Sequence, residues 1–182
     1  LLRALGYSSE QILERFFETD SFHFGKDGIE FDVVPERLRG ETVGFDICID
    51  GEVLVESGRR VTQRHIRALQ KAGVERLVVP VDFLVERTLA RSLVDSETGE
   101  VLAEANAEIS QELLDALLEK KIERIETLFV NDLDHGPYIS ETLRIDPTTN
   151  VFEAQVEIYR MMRPGEAQST EAAPSPIAPV VG

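Results

Sequence analysis

The chain has 182 residues, 42% hydrophobic and 29% charged, a globular composition long enough for one large domain or two small ones at roughly 150 residues per domain. With 19 basic against 34 acidic residues its net charge is −15, which repels nucleic acid and anionic membranes at long range and argues against a free-standing nucleic-acid binder. No stretch of about 18 uncharged apolar residues occurs, which excludes a helical membrane span, and the single cysteine, Cys48, excludes a disulfide framework and a cysteine-built zinc site.

The opening Leu1-Leu2-Arg3-Ala4-Leu5 lacks the cleavage region of a secretory leader, so a reducing cytosol is expected. Ser8 and Gln11 have the spacing of a capping box. They predict a helix whose face carries Ile12, Leu13, Phe16 and Phe17 and docks on a partner element. Phe22, Phe24, Ile29, Phe31 and Val33 alternate around Gly25-Lys26-Asp27-Gly28, the pattern of a β-hairpin. Pro35 closes it.

The middle of the chain repeats itself. Residues 51–77 align with 99–125 at an offset of 48 without gaps, and ten of the 27 positions are identical, among them Gly51/Gly99, Gln63/Gln111, Leu69/Leu117 and Arg76/Arg124. Each copy reads as a turn, a short strand, a connector, a helix opened by Thr62 or Ser110, and a closing strand. The helices are expected to bury Ile66 and Leu69 in the first copy, and Leu113, Leu114, Leu117 and Leu118 in the second. The closing strands are expected over 76–81 and 124–130. Gly73 suits a helix-ending position that Lys121 fills in the second copy. Two copies are too few for a solenoid. The expected fold is therefore α+β: a small mixed domain built on an internal β-α-β type repeat, flanked by helical segments.

Downstream, Asp146-Pro147 marks a boundary, with Pro147 placed for the first turn of a helix. Phe152, Val156, Tyr159 and Met162 then follow at helical spacing until Pro164-Gly165. Residues 167–182 are rich in alanine and proline with one charge and read as a disordered tail or linker.

Few residues suggest chemistry. Asp132, Asp134 and His135 are metal-ligand or acid–base types, but they are also turn formers, and no second His or Cys lies at ligand spacing. His65 reads as a solvated helix residue and His23 as a half-buried strand residue. Cys48 alternates with apolar neighbours and reads as a small buried hydrophobe. No nucleophile elbow or phosphate loop is present. Arg59, Arg60, Arg64 and Arg67 read as surface ion-pair partners. Arg160 and Arg163 bracket Met161-Met162 at a helix end, where the dipole alone favours cations. That alone accounts for the pair, although arginines beside a Pro-Gly loop are also what a phosphate contact looks like.

Several runs resemble the β subunit of bacterial DNA-directed RNA polymerase: Leu1-Leu2-Arg3-Ala4-Leu5-Gly6; Val34-Pro35-Glu36-Arg37-Leu38-Arg39-Gly40-Glu41; Arg124-Ile125-Glu126-Thr127-Leu128-Phe129; Asn131-Asp132-Leu133-Asp134-His135-Gly136-Pro137-Tyr138-Ile139-Ser140-Glu141-Thr142-Leu143; and Val156-Glu157-Ile158-Tyr159-Arg160-Met161-Met162-Arg163-Pro164-Gly165-Glu166. The resemblance covers about residues 1–166. It implies a fragment of the lobe lining the downstream DNA cleft, with 1–16 and 135–166 as lobe segments, 17–134 as a lineage-specific insertion domain containing the repeat, and 167–182 outside the family's pattern. It further implies that Arg160 and Arg163 begin a DNA-facing tip loop. Catalytic residues are expected in none of this chain, and no cofactor, because the family's magnesium is bound by the β′ subunit. The implied partners are the α, β′, ω and σ subunits and DNA, with transcription factors on the insertion and no membrane. The implied location is cytoplasmic, at the nucleoid. The alternatives are an autonomous acidic protein-interaction module and a small enzyme with an unrecognised carboxylate site.

Overall fold

Ser8 opens the first helix as its spacing predicts: its hydroxyl accepts from the Gln11 amide (3.2 Å) while its own amide donates to the Gln11 side chain (2.9 Å). The computed structural model describes residues 1–25, 28–49, 51–95, 98–131 and 135–163. They form two compact units, one of 8–145 and one of 1–7 with 146–163. The lysine and aspartate of the predicted hairpin turn, the 132–134 segment, the Pro-Gly loop and the tail lie outside the described residues.

In the larger unit α1 (Ser9–Phe16) buries Ile12 and Leu13. Phe16, expected on the same face, is half-exposed. The chain turns extended at Phe17, so Phe17 rather than Phe16 packs with Leu13, Ala90 and Leu128. The hairpin follows as β1 (Thr19–Gly25) and β2 (Gly28–Asp32). The first repeat supplies β3 (Ile47–Ile49), β4 (Glu52–Val55), α2 (Gln63–Ala72) and β5 (Arg76–Val79). The second supplies β6 (Leu93–Val94), β7 (Val101–Ala103), α3 (Gln111–Glu119) and β8 (Arg124–Leu128). Then comes α4 (Tyr138–Ile145). The fold is α+β, with an antiparallel sheet ordered β5-β2-β1-β8. The hairpin is its centre, and each repeat adds one edge. One cross-strand row runs Leu77–Phe31–Phe22–Ile125, all buried, with matching copies of the repeat at its two ends.

Backbone hydrogen bonds repeat with the sequence. Gly58 donates to the Val43 carbonyl and Asn106 to that of Leu89, both at 2.8 Å; Gly40 donates to Val61 (2.9 Å) and Glu86 to Ile109 (3.0 Å). Left-handed residues pair likewise: Gly58 (φ 77°) with Asn106 (φ 73°), and Gly73 (φ 64°) with Lys121 (φ 51°). Gly73 and Lys121 each follow a helix end, where a positive φ lets the chain reverse and free carbonyls find donors. The duplication thus reaches upstream of Gly51, to about residue 38 in one copy and 84 in the other. There the offset drops from 48 to 46, because the β6–β7 turn is two residues longer than the β3–β4 turn.

The copies differ at their outer edges. Segment 88–90 closes the edge of β8, with Ala90 donating to the Glu126 carbonyl (2.9 Å) and Leu128 to that of Thr88 (2.8 Å). The equivalent of Leu128 is Pro80, which has no N–H to give. Pro80 thus ends β5 at Val79, and β8 ends at Leu128, where Phe129 turns its amide to the Glu18 carbonyl (2.8 Å) instead; both strands are shorter than predicted. Leu118, expected in the core, is 46% exposed: the buried arc of this two-turn helix holds Leu114 and Leu117, and Leu118 lies beyond it.

The smaller unit holds α5 (Val151–Met162) against a 3-10 turn over Arg3–Leu5. Gln155 donates to the Ala4 carbonyl (3.1 Å) and Arg3 faces Asp146 at 3.8 Å. Pro147 does not begin the helix. Asp146 instead accepts from the Thr148 amide (2.9 Å) and hydroxyl (2.7 Å), and Asn150 caps α5 by accepting from Glu153 (2.9 Å). Burial alone would raise the Asp146 pKa; the Thr148 donors and Arg3 outweigh it and leave the carboxyl below its ordinary value.

Candidate functional site

An enclosed ionic cluster lies where hairpin and repeats meet. Asp20, on β1, is 4% exposed. One of its oxygens accepts from Arg37 (2.9 Å) and the other from Arg87 (3.0 Å). Arg37 also donates to the Thr19 carbonyl (2.8 Å) and pairs with Glu18. Arg87 donates to the Phe83 carbonyl (3.1 Å) and lies 4.3 Å from the Phe83 ring centroid and 5.2 Å from that of Phe22. Burial draws its guanidinium below the ordinary arginine value, and Asp20 opposes that shift. Arg37 lies in the turn Pro35–Leu38 that opens the first copy, as Val81–Leu84 opens the second, and Arg87 follows that second turn, so a single carboxylate ties both copies to the hairpin. Sequence reasoning passed over all three residues. Isolated charges in a strand and two turns carry no local signature.

Beside Arg37 opens a cleft of about 520 Å³, lined by Glu18, Glu36, Arg39, Arg60 and His135 among others. Its charge is mixed, and its side chains are engaged locally: Arg60 donates to the Gly40 carbonyl (2.8 Å), Glu36 accepts from Gln70, and the His135 amide donates to the Asn131 side chain (2.9 Å). Asp132 and Asp134 lie outside the described residues. Among the described residues no group of three His, Cys, Asp or Glu could hold a metal ion.

The remaining candidates fall apart in space or take structural posts. His23 meets Asp32 at 2.7 Å. His65 is not simply solvated, because its Nδ1 accepts from the Thr62 amide (3.2 Å) and completes the start of α2. Cys48 is exposed, not buried: the two-residue period of β3 turns Ile47 inward and Cys48 outward. Arg59 pairs with Glu56 at 3.6 Å. Arg64 and Arg67, expected in ion pairs, have no carboxylate partner among the described residues.

Arg160 and Arg163 sit together at the end of α5. Arg160 is exposed and faces Glu157 at 3.7 Å. Arg163 is the C-cap: its amide donates to the Tyr159 carbonyl (3.0 Å), and its guanidinium lies over the Tyr159 ring at 5.5 Å. Met161 and Met162, 73% and 78% exposed, separate them. Such a tip can hold two cations toward an anion without any buried acid–base machinery.

No protein-family model matches the chain. No helix among the described residues is long and apolar enough to cross a membrane.

Proposed function

We propose that this chain is a non-catalytic segment of a bacterial RNA polymerase β subunit, part of the lobe that lines the downstream DNA cleft. The observation that carries the reading is the set of long matching runs, above all Asn131 through Leu143 and Val156 through Glu166. The division of the chain supports it. Residues 1–7 and 146–163 share one compact unit, so 8–145 is strung between two parts of a single body, the organisation of an inserted domain; its bounds are wider than 17–134 and take in 8–16 and 135–145 of the lobe segments. In this reading the chain serves a cytoplasmic, nucleoid-associated nucleotidyltransferase without supplying catalytic residues. The magnesium is held by β′, and α, β′, ω, σ and DNA are the partners.

Tagged chain mixed with the remaining polymerase subunits and the rest of β should co-purify with them. A folded chain that passes through such a mixture unretained refutes the reading and favours an autonomous acidic interaction module, for which the larger unit has its own extensive core. The assignment of Arg160 and Arg163 has a separate test in the intact enzyme. If each neutralises a phosphate, Arg160→Ala or Arg163→Ala weakens promoter binding evenly across sequences and lowers the salt slope by about one. Pure helix capping predicts a loss of about 0.3–1 kcal/mol in stability and no salt signature.

A further inference from the structure

The two copies share a backbone but not a charge. On α2 the solvent face carries Arg64, Arg67 and Lys71; at the equivalent positions of α3 stand Glu112, Asp115 and Glu119, and all six are exposed. Each set follows i, i+3, i+7 spacing, which lays three like charges along one face over about 10 Å. Helix α2 contains no acidic residue at all, within a chain of net charge −15.

Folding does not require this pattern. Arg64 stands in the first turn, where the helix dipole disfavours a cation, and Arg67 and Lys71 are like charges one turn apart, which weakens a helix. The second copy demonstrates that the same scaffold accepts acids at all three sites. Among the described residues no carboxylate forms an ion pair with Arg64, Arg67 or Lys71, and Glu36, beside the helix, is bonded to Gln70.

We propose that the outer face of α2 docks an acidic helical segment of a partner protein, whose carboxylates, spaced one turn apart, meet Arg64, Arg67 and Lys71. Two turns of helix match the length of the stripe, and α3 illustrates the complementary spacing. A nucleic-acid duplex is a poorer occupant, since its long line of phosphates meets the repulsion of the whole chain. A second copy offers its α3 stripe but brings another −15 with it. The proposal does not depend on the polymerase reading.

The test is chemical-shift mapping of the full chain at low salt, with a capped alanine-based helical peptide carrying Glu at i, i+3 and i+7 as probe. Shifts should be confined to α2 and fade as salt is raised. The triple variant Arg64→Glu, Arg67→Asp, Lys71→Glu, which installs the second copy's residues, should weaken binding about tenfold, as three exposed ion pairs would. The reciprocal variant Glu112→Arg, Asp115→Arg, Glu119→Lys should create a second site on α3, which keeps the proposal testable if the first variant folds poorly. Absence of shifts on α2, or unchanged affinity in the triple variant, overturns it. So does tighter binding of a charge-matched DNA duplex at α2, which would make this a phosphate surface. Concentration-dependent shifts on α2 and α3 without peptide would assign the face to self-association and equally overturn it.

Discussion

Replacing Asp20 by Ala removes one carboxylate and strands two guanidinium groups. Arg87 then keeps its neutral contacts, the Phe83 carbonyl and the aromatic faces, while Arg37 retains Glu18 and the Thr19 carbonyl. The side chains of Arg37 and Arg87 are only 18% and 25% exposed, so water replaces little of what is lost. Breaking a buried pair from one side costs about 3–5 kcal/mol. With two cations affected and one partly compensated, Asp20→Ala should lie in that range. Arg87→Met keeps much of the packing against Phe22 and Phe83, and also removes the charge that most needs Asp20. The pair Asp20→Ala with Arg87→Met should therefore cost clearly less than the sum of the single changes, with a coupling within about 0.5–3 kcal/mol. Urea denaturation of the four proteins at neutral pH, followed by circular dichroism, measures each difference. A loss under about 1 kcal/mol for Asp20→Ala, or strict additivity in the cycle, would show that the cluster is solvated and does not pin the repeats to the hairpin.

Glu10 accepts from the Ser92 amide at 2.7 Å; the Ser92 hydroxyl and amide, helped by Arg91, hold its carboxyl below the ordinary value against burial. Its contribution is present above the unfolded carboxylate pKa and is lost as pH falls through the lower folded value, so Glu10→Gln should flatten the acid limb of the stability curve. Native Cys48, exposed on β3, should react with a thiol reagent without prior unfolding, and protection until denaturation would contradict its outward position. Lys121 holds φ 51°, so Lys121→Gly should stabilise the chain by up to about 1 kcal/mol, read as a raised urea midpoint. Leu117, fully buried under α3, should cost about 2–5 kcal/mol as Leu117→Ala by the same measurement.

Local rules made the elements legible. The cap formed by Ser8 and Gln11, the hairpin alternation from Phe22 to Val33, and the buried pairs Ile66 with Leu69 and Leu114 with Leu117 each depend on neighbours within about two turns or along one strand. Such signals survive in a single sequence because the chemistry is short-range. The errors fell where a residue is placed by what lies across from it. Cys48 faces out because the neighbouring apolar residues take the inner side of a short strand, and the predicted helix start at Pro147 lost to an Asp146–Thr148 turn followed by the Asn150 cap.

The sequence by itself determined that the chain is α+β, that its centre is duplicated and that three of its helices begin at Ser8, Thr62 and Ser110. Those facts follow from hydrophobic period and from identities at one offset. Only the tertiary structure decided that the duplication reaches back to about residues 38 and 84, because a turn two residues longer in one copy shifts the offset and hides the match from ungapped alignment. It also decided that Asp20 gathers one arginine from each copy, and that the oppositely charged positions of α2 and α3 all face solvent. Those relations join residues tens of positions apart, and only the paired strands and their closed hydrogen bonds bring them into register.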